Sequence, residues 1–187
     1  MNKTVAKAKF VSYLKEHGIK YSERLRDGDA CILMVFNGYK SCPNEALEAS
    51  IYFFETCMEA RVYYTETASS WIDKAENLAD LYRLLNFINA CVWPCAQDGI
   101  GGELYYPHHL HTPRFYITED GGNDLTSTTV IDYDYYEVAP LETEDFITAA
   151  LPELMDKLSI PFFFLLLNRM TVDQAIHYIK SEILEEL

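Results

Sequence analysis

The sequence predicts an α+β domain in two layers, with an antiparallel sheet of about five strands and helices packed on one face. Runs rich in β-branched and aromatic residues come first as a group of three and later as a pair, which is typical of strands. Segments with apolar residues at helical spacing precede, separate and follow these two groups, so the predicted order is α-βββ-α-ββ-α. No linker, internal repeat or low-complexity segment divides the 187 residues. A single domain spanning residues 1–187 is therefore predicted.

The first helix is predicted over residues 4–17, because apolar residues recur there at helical spacing. These residues are Val5, Ala8, Val11, Phe10 and Leu14. Gly18 follows directly, and glycine commonly ends a helix because it adopts the left-handed backbone conformation without strain.

Three strands are predicted next, after a turn, over residues 30–37, 49–57 and 60–67. Each is a run of apolar, β-branched or aromatic residues, the types that are enriched in strands. The middle strand is apolar on both of its faces, since Ile51 and Phe53 alternate with Tyr52 and Phe54. A strand of this kind lies in the centre of a sheet or is covered on both sides.

A second helix is predicted after these strands, with Ser70 and Asp73 as its cap and Pro94 beyond its end. One stripe of this helix carries Leu78, Tyr82, Leu85, Asn89 and Val92. Residues 94–113 are rich in glycine and proline and form the least regular segment of the chain.

A hairpin is predicted at residues 114–138, where two β-rich runs flank an acidic turn that contains two glycines. Its second strand alternates, and Ile131, Tyr133 and Tyr135 share one face. Such alternation indicates one buried face and one face in water.

The remainder of the chain is predicted to be helical. Thr143 serves as an N-cap with acidic residues in the first turn, and Pro152 and Pro161 kink or divide the helix that follows. Residues 171–174 match a capping box. Behind this box an amphipathic face is formed by Val172, Ala175, Ile176, Ile179, Ile183 and Leu184.

Composition and charge exclude some classes of partner. The 29 acidic residues exceed the 15 basic ones, and the formal net charge of −14 repels nucleic acid and anionic membrane surfaces. The longest apolar run, residues 160–167, is far shorter than the roughly 20 residues that span a bilayer. Five cysteines, an odd number, lie in apolar stretches as in proteins of a reducing compartment, and no signal peptide is visible. A cytoplasmic protein without nucleic-acid or membrane partners is predicted.

The best candidate for chemistry is a set of residues with nearly the spacing of a zinc site, namely Cys91, Cys95, His108 and His111. Thiolate and imidazole ligands of zinc must converge as a tetrahedron around the ion. The gap between the two histidines is one residue too short, and both lie near prolines instead of on a helix. The alternative interpretation is two buried thiols at a helix end and a polar, exposed stretch of histidines.

A second chemical hypothesis involves Asp132 and Asp134, which put two carboxylates on one face of a predicted strand. Such a pair is able to hold a divalent cation or to share acid–base work, but solvated acidic surface is the alternative interpretation. The sequence contains no Gly-x-Ser-x-Gly elbow and no glycine-rich phosphate-binding pattern. No catalytic residue and no cofactor is therefore predicted.

The run at residues 160–167 is apolar on every side of a helix, which indicates either a core helix or a surface that a protein covers. In the second case it forms a homodimer contact or a groove for an amphipathic segment of a partner. The residues expected to bind the partner are Phe162, Phe163, Phe164 and Leu166.

The layout resembles the YbjN family, whose domains have the type III secretion chaperone-like fold. The resemblance spans most of the chain from Val5 onward and rests on four segments in order. They are LLNFINA in the second helix (84–90), PRFYITEDG (113–121), TSTTVIDYDYY (126–136) and TEDFITAAL (143–151). The histidine-rich segment at residues 94–113 and the apolar stretch with its two prolines depart from the family pattern.

The resemblance implies a non-enzymatic protein with a chaperone-like, regulatory or sensory role. The related secretion chaperones are small acidic dimers that hold partner segments on a sheet or helix surface, and the present charge suits that description. We therefore expect a protein-binding domain whose partner is another protein or a second copy of this chain. The alternative function is a metal-binding protein that uses Cys91, Cys95, His108 and His111.

Overall fold

The computed structural model describes residues 1–26, 29–92, 96–97, 104–105, 111–119 and 121–184. Its helices are α1 (Lys3–Glu16), α2 (Glu66–Ile72), α3 (Leu78–Cys91), α4 (Tyr133–Val138), α5 (Pro140–Asp145), α6 (Leu151–Leu166) and α7 (Val172–Glu182). A 3-10 turn lies at Pro43–Glu45 and a π-helical turn at Phe146–Ala150. The strands are β1 (Tyr21–Arg26), β2 (Asp29–Asn37), β3 (Ala46–Phe53), β4 (Cys57–Tyr64), β5 (Ala96–Gln97), β6 (Leu104–Tyr105), β7 (Arg114–Ile117) and β8 (Leu125–Asp132). Among the helices described, none has both the length and the apolar character needed to cross a membrane.

The strands confirm the predicted α+β class and its antiparallel sheet. In the described part of the chain, six strands form one sheet in the order β1-β2-β3-β4-β8-β7, while β5 and β6 pair separately. The predicted number of about five strands was too low and the order α-βββ-α-ββ-α was wrong, because β1 precedes the three predicted strands. This strand has the sequence YSERLR, which carries little apolar signal. It lies at the edge of the sheet, where charged side chains stay in water.

Helix α1 agrees with the prediction in its bounds and in part of its buried face. The side chain of Asn2 caps the helix by accepting a hydrogen bond from the backbone N–H of Val5 at 3.0 Å. Gly18 follows the end of the helix with φ of +66°, as the predicted stop requires. Phe10 and Leu14 are buried as predicted, together with Ala6 and Tyr13, whereas Val5 and Ala8 are exposed.

The predicted second helix is two helices, α2 and α3. Asn77, and not Ser70 with Asp73, is the residue at the N-terminal boundary of α3. The predicted third strand, residues 60–67, lies three residues earlier, because its last residues are taken up by α2, which begins at Glu66. Tyr82 of the predicted stripe is 50% exposed, and the buried face of α3 consists of Leu81, Leu84, Leu85 and Ile88.

The predicted long second strand of the hairpin ends at Asp132, and residues 133–138 form helix α4. The Asp132 side chain caps this helix by accepting a hydrogen bond from the backbone N–H of Asp134 at 2.8 Å. Tyr133 and Tyr136 are both buried, and their separation of three residues suits one face of a helix. The prediction that placed Tyr133 and Tyr135 on one face of a strand was therefore wrong.

The C-terminal region is helical, as predicted, with two corrections. Thr143 is not an N-cap, because it lies fully buried inside α5. Helix α6 continues through Pro161, while Pro152 lies in its first turn, where proline is tolerated. The capping box is confirmed, since the Thr171 hydroxyl accepts a hydrogen bond from the Gln174 N–H and the Gln174 side chain accepts one from the Thr171 N–H. Helix α7 buries Val172, Ala175 and Ile179, with Ile183 beyond its end, as predicted.

One hydrophobic core joins the helices to one face of the sheet, here called the inner face. Every second residue of the central strands belongs to this core, for example Ile51 and Phe53 of β3. Phe53 meets Phe10 of α1 edge to face, with ring centroids 6.4 Å apart. Tyr64 at the end of β4 is fully buried against Phe163 of α6 at 4.9 Å. Packing between these aromatic rings fixes the helices on the sheet.

The Asn89 side chain of α3 attaches the edge strand β7 to the helices. Its amide donates to the Phe115 carbonyl at 2.9 Å and accepts from the Phe115 N–H at 2.8 Å.

We predict that Asn89→Ala lowers the free energy of unfolding by about 1–3 kcal/mol, since two hydrogen bonds are lost. Urea denaturation measures this loss, with Asn86→Ala, a substitution at a second exposed asparagine of the same helix, as the matched control. Equal stability of the two variants would contradict the prediction.

Because several tyrosines are buried, we predict that the protein unfolds at alkaline pH. Burial raises the pKa of Tyr13, Tyr39 and Tyr63 to about 12, and it raises those of Tyr64 and Tyr136 further. In the unfolded chain tyrosine ionises near pH 10. The stabilisation is therefore complete below about pH 10 and is lost as the pH rises above it.

Denaturation at a series of pH values, with the ultraviolet absorbance of tyrosinate recorded in parallel, measures this effect. We expect ionisation of most tyrosines to coincide with unfolding, including in added salt, which screens the net charge. Full ionisation near pH 10 in a protein that keeps its circular dichroism would show that the buried hydroxyls do not limit stability.

Candidate functional site

The second face of the sheet, here called the outer face, is the candidate functional surface. The register places on it Ser22, Arg24, Cys31, Leu33, Val35, Glu48, Ser50, Tyr52, Glu59, Arg61, Tyr63, Arg114, Tyr116, Thr126, Thr128 and Val130. None of these residues belongs to the hydrophobic core that contains the described helices. Two apolar side chains on it are strongly exposed, Val35 at 54% and Val130 at 45%. The centre of the outer face is covered, since Cys31, Ser50 and Tyr52 are at most 8% exposed. The groups that reach the surface include these two valines and the partly exposed side chains of Arg61, Tyr63 and Tyr116.

Near the middle of the outer face an arginine lies against stacked aromatic rings. The rings of Tyr52 and Phe54 are stacked, with centroids 6.2 Å apart and planes 8° from parallel. The guanidinium carbon of Arg61 lies 5.0 Å from the centroid of the Tyr52 ring, within the range of a cation–π interaction. Arg61 also donates a hydrogen bond from Nε to the Glu59 carboxylate at 2.6 Å. These contacts hold the guanidinium group in one position on the face.

A groove of about 450 Å³ crosses the outer face at the end of the sheet where β1 begins. Lys20 and Arg24 lie at one side of it, and Leu33 and Val35 form part of its lining. On its far side the groove reaches Glu48 of β3 and Tyr63 of β4. Its walls therefore change from basic to apolar to acidic within a few strands.

A second groove, of about 470 Å³, begins at the same Glu48 and Tyr63 and continues to α2 and the turn between β7 and β8. Its lining is rich in carboxylates, contributed by Glu48, Glu66, Asp73 and Asp124. Burial, followed by the charges of Asp124 and Glu66, raises the pKa of Glu48. The carboxylate of Glu48 is therefore held in an environment that disfavours its charge.

Hydrogen bonds fix the two aspartates of this second groove. The Ser69 hydroxyl donates to the Asp124 carboxylate at 2.6 Å, and the Asn123 amide donates to the Asp73 carboxylate at 2.5 Å. The backbone N–H of Asp124 also donates to the Thr118 hydroxyl at 2.9 Å. The hairpin turn is thereby fastened to α2, and the acidic groove between them has a defined shape.

The sequence-predicted metal residues are only partly placed by the structure. Cys91 is exposed at the end of α3. His111 is buried, with its ring 4.9 Å from Tyr135 and 4.8 Å from Phe146 and its Nε2 3.4 Å from the Thr143 hydroxyl. Cys95 and His108 lie outside the described residues, so the metal hypothesis stays a prediction. Among described side chains, no three of His, Cys, Asp or Glu are grouped so that they could hold a metal ion.

The four residues expected to bind a partner lie mostly in the core. Phe162, Phe163 and Leu166 are at most 6% exposed, whereas Phe164 is 37% exposed. The apolar run therefore serves as a core helix, because its rings pack on Tyr64 and the inner face. Phe164 is the member of this set that reaches the surface.

The acid pair predicted at Asp132 and Asp134 does not lie on one strand face. Asp132 ends β8 and accepts the capping hydrogen bond described above, while Asp134 lies in the first turn of α4. A carboxylate at the N-terminus of a helix is stabilised by the helix dipole. The pair therefore has a structural role at the start of α4.

Binding through exposed apolar and aromatic surface of the sheet was predicted along with the run at residues 160–167, but no residue of the outer face was named, although a signal for it exists. The alternation Glu48, Ser50, Tyr52 in β3 is matched in β4 by Glu59, Arg61, Tyr63. Both series are polar or aromatic, while the residues between them are apolar and form the core. Correct strand bounds were required to see that the two series share one face.

Comparisons with known proteins leave the family open. No family model matches the chain, and neither a curated protein nor a solved structure matches it. The resemblance to the YbjN family therefore stays a prediction from the sequence, and the functional conclusion has to rest on the outer face of the sheet.

Proposed function

We propose that this protein is a non-enzymatic binding domain that holds a segment of another protein on the outer face of its sheet, in a chaperone-like or regulatory role. The observation that carries this proposal is the outer face itself, which lies outside the helical core and has two exposed valines and the partly exposed rings of Phe54, Tyr63 and Tyr116. Exposed apolar groups gathered on one surface mark interaction sites in soluble proteins.

The composition of the outer face favours a protein as its ligand. Tyrosine and arginine are enriched where proteins bind one another, since each combines apolar contact area with hydrogen-bonding groups. Tyr63, Tyr116 and Arg61, which are partly exposed, supply both types here. Tyr116 is further held by a hydrogen bond of 2.9 Å between its hydroxyl and that of Thr128. A prearranged surface of this kind loses little conformational entropy on binding.

The candidate reactive groups in the interior support the non-enzymatic part of the proposal. The Cys42 thiol lies 3.2 Å from the Ser159 hydroxyl and 3.5 Å from the Asp156 carboxylate. Burial raises the pKa of Cys42 to about 12, which keeps the thiol protonated and unreactive. A second group of buried titratable side chains consists of Tyr136 and Glu144. They form a short hydrogen bond of 2.5 Å in the interior, where no substrate reaches them.

The cytoplasm is the location that we propose for this activity. No disulfide is formed by the cysteines of the described residues, which are Cys31, Cys42, Cys57 and Cys91. A reducing compartment maintains this state.

We also propose a homodimer, in which a second copy of the chain covers the outer face in place of another protein. Light scattering after size exclusion distinguishes a homodimer from a monomer, whose mass is 21.6 kDa.

A pair of charged substitutions on the outer face tests the proposed function. We predict that Val35→Asp combined with Val130→Asp weakens capture of the cellular partner about tenfold or more, because each carboxylate must be desolvated on binding. Co-purification of tagged protein from its own cells, quantified by mass spectrometry, measures the loss. The matched control is Val138→Asp, a substitution at an 84% exposed valine outside the outer face.

Circular dichroism and thermal unfolding establish that the double variant is folded before its binding is compared. Partners that are captured equally by the wild type, the double variant and the control would refute the outer face as the binding surface. So would a wild-type protein that captures nothing above an untagged sample.

A further inference from the structure

The two grooves adjoin at Glu48 and Tyr63, which line both of them, and together they are here called the depression. It runs from β1, across β2, β3 and β4, to the turn that precedes β8. Neighbouring strands lie about 4.8 Å apart, so the four steps from β1 to β8 span roughly 19 Å. An extended segment of about six residues covers that distance.

The depression has opposite charges at its two ends. Lys20 and Arg24 lie at the end near β1, and the carboxylates of Glu48, Glu66, Asp73 and Asp124 lie at the other end. Leu33 and Val35 contribute apolar surface at the β1 side. A bound segment is therefore recognised in one direction only, because reversal would place like charges together.

The carboxylates of the acidic end have no ion-pair partner within the described part of the chain. None of the ion pairs among described residues involves Glu48, Glu66, Asp73 or Asp124. The raised pKa of Glu48 has the same origin, since burial and the two neighbouring carboxylates disfavour its charge. A cationic group placed in the groove relieves this repulsion, which makes a positively charged side chain the complementary occupant.

We infer that the depression binds a segment of a partner protein whose lysine or arginine side chain enters the acidic end beside Glu48 and Asp124, while its apolar side chains cover Val35 and Tyr63. This inference rests on the proposed function and specifies the chemistry of the partner. The partner segment crosses the strands, so side chains recognise it and the sheet edges do not. Its acidic or C-terminal end faces Lys20 and Arg24.

Selection from a random peptide display library on the immobilised full chain tests this inference. We expect the enriched peptides to carry lysine or arginine next to apolar residues. The affinity of an enriched peptide is then measured by fluorescence anisotropy for the wild type and for Glu48→Gln combined with Glu66→Gln. We expect a loss of about tenfold or more in this double variant, as for a charge pair at an interface.

The matched control is Glu76→Gln combined with Glu182→Gln, which changes the net charge equally at exposed positions that do not line either groove. We expect this control to bind like the wild type, and we expect replacement of the basic residue of the peptide by glutamine to reproduce the loss.

Three outcomes of the peptide experiment would overturn the inference. They are enrichment of peptides without basic residues, equal binding by the two double variants, and no enriched peptide at all. Dimerisation of the wild type that Val35→Asp abolishes would also overturn it, because a second copy would then occupy the depression. The proposed function fails separately, when capture of the cellular partner is insensitive to Val35→Asp combined with Val130→Asp.

Discussion

The alternation of side chains along the central strands is the constraint on which the rest of the structure depends. Because successive residues of a strand face opposite sides, a shift of register by one residue would exchange the two faces of the sheet. In β3 and β4 this alternation puts Ile51 and Val62 into the core and leaves Tyr52 and Arg61 on the other side. The helices then have one apolar face to cover, and the outer face is free to differ in character.

Tyr63 and Tyr64 show how closely the two faces are linked. Tyr64 is buried in the core, where its hydroxyl donates a hydrogen bond to the Met155 carbonyl of α6 at 2.6 Å. Tyr63, its neighbour in β4, lines both grooves of the outer face. The packing of α6 against the sheet therefore also fixes the position of the groove wall. A change in the core at this point would be transmitted to the outer face through a single residue of backbone.

The sequence was a good guide where one physical signal dominated and a poor guide where two competed. Helix α7 was predicted with its capping box and buried face, because period and cap agree there. Strand β1 was missed because its charged residues suit an exposed edge and hide the strand pattern. At residues 133–138, tyrosine and aspartate alternate as they would in a strand. The segment is nevertheless a helix, in which Tyr133 and Tyr136, three residues apart, are both buried. The residues of the outer face were not identified, because the alternation in β3 and β4 reveals a shared face only when strand order and register are known, and these depend on contacts between distant segments.

The two edges of the six-stranded sheet are not equivalent. At β7 the backbone N–H and carbonyl of Phe115 are occupied by Asn89, so an incoming strand finds no free pair of groups at that residue. At the β1 edge Glu23 and Arg24 line the strand. Sheets that join edge to edge into a fibre need two unpaired edges per molecule, because each molecule must pair with a neighbour on both sides. A single asparagine side chain thus helps to keep a sheet rich in tyrosine and valine from polymerising.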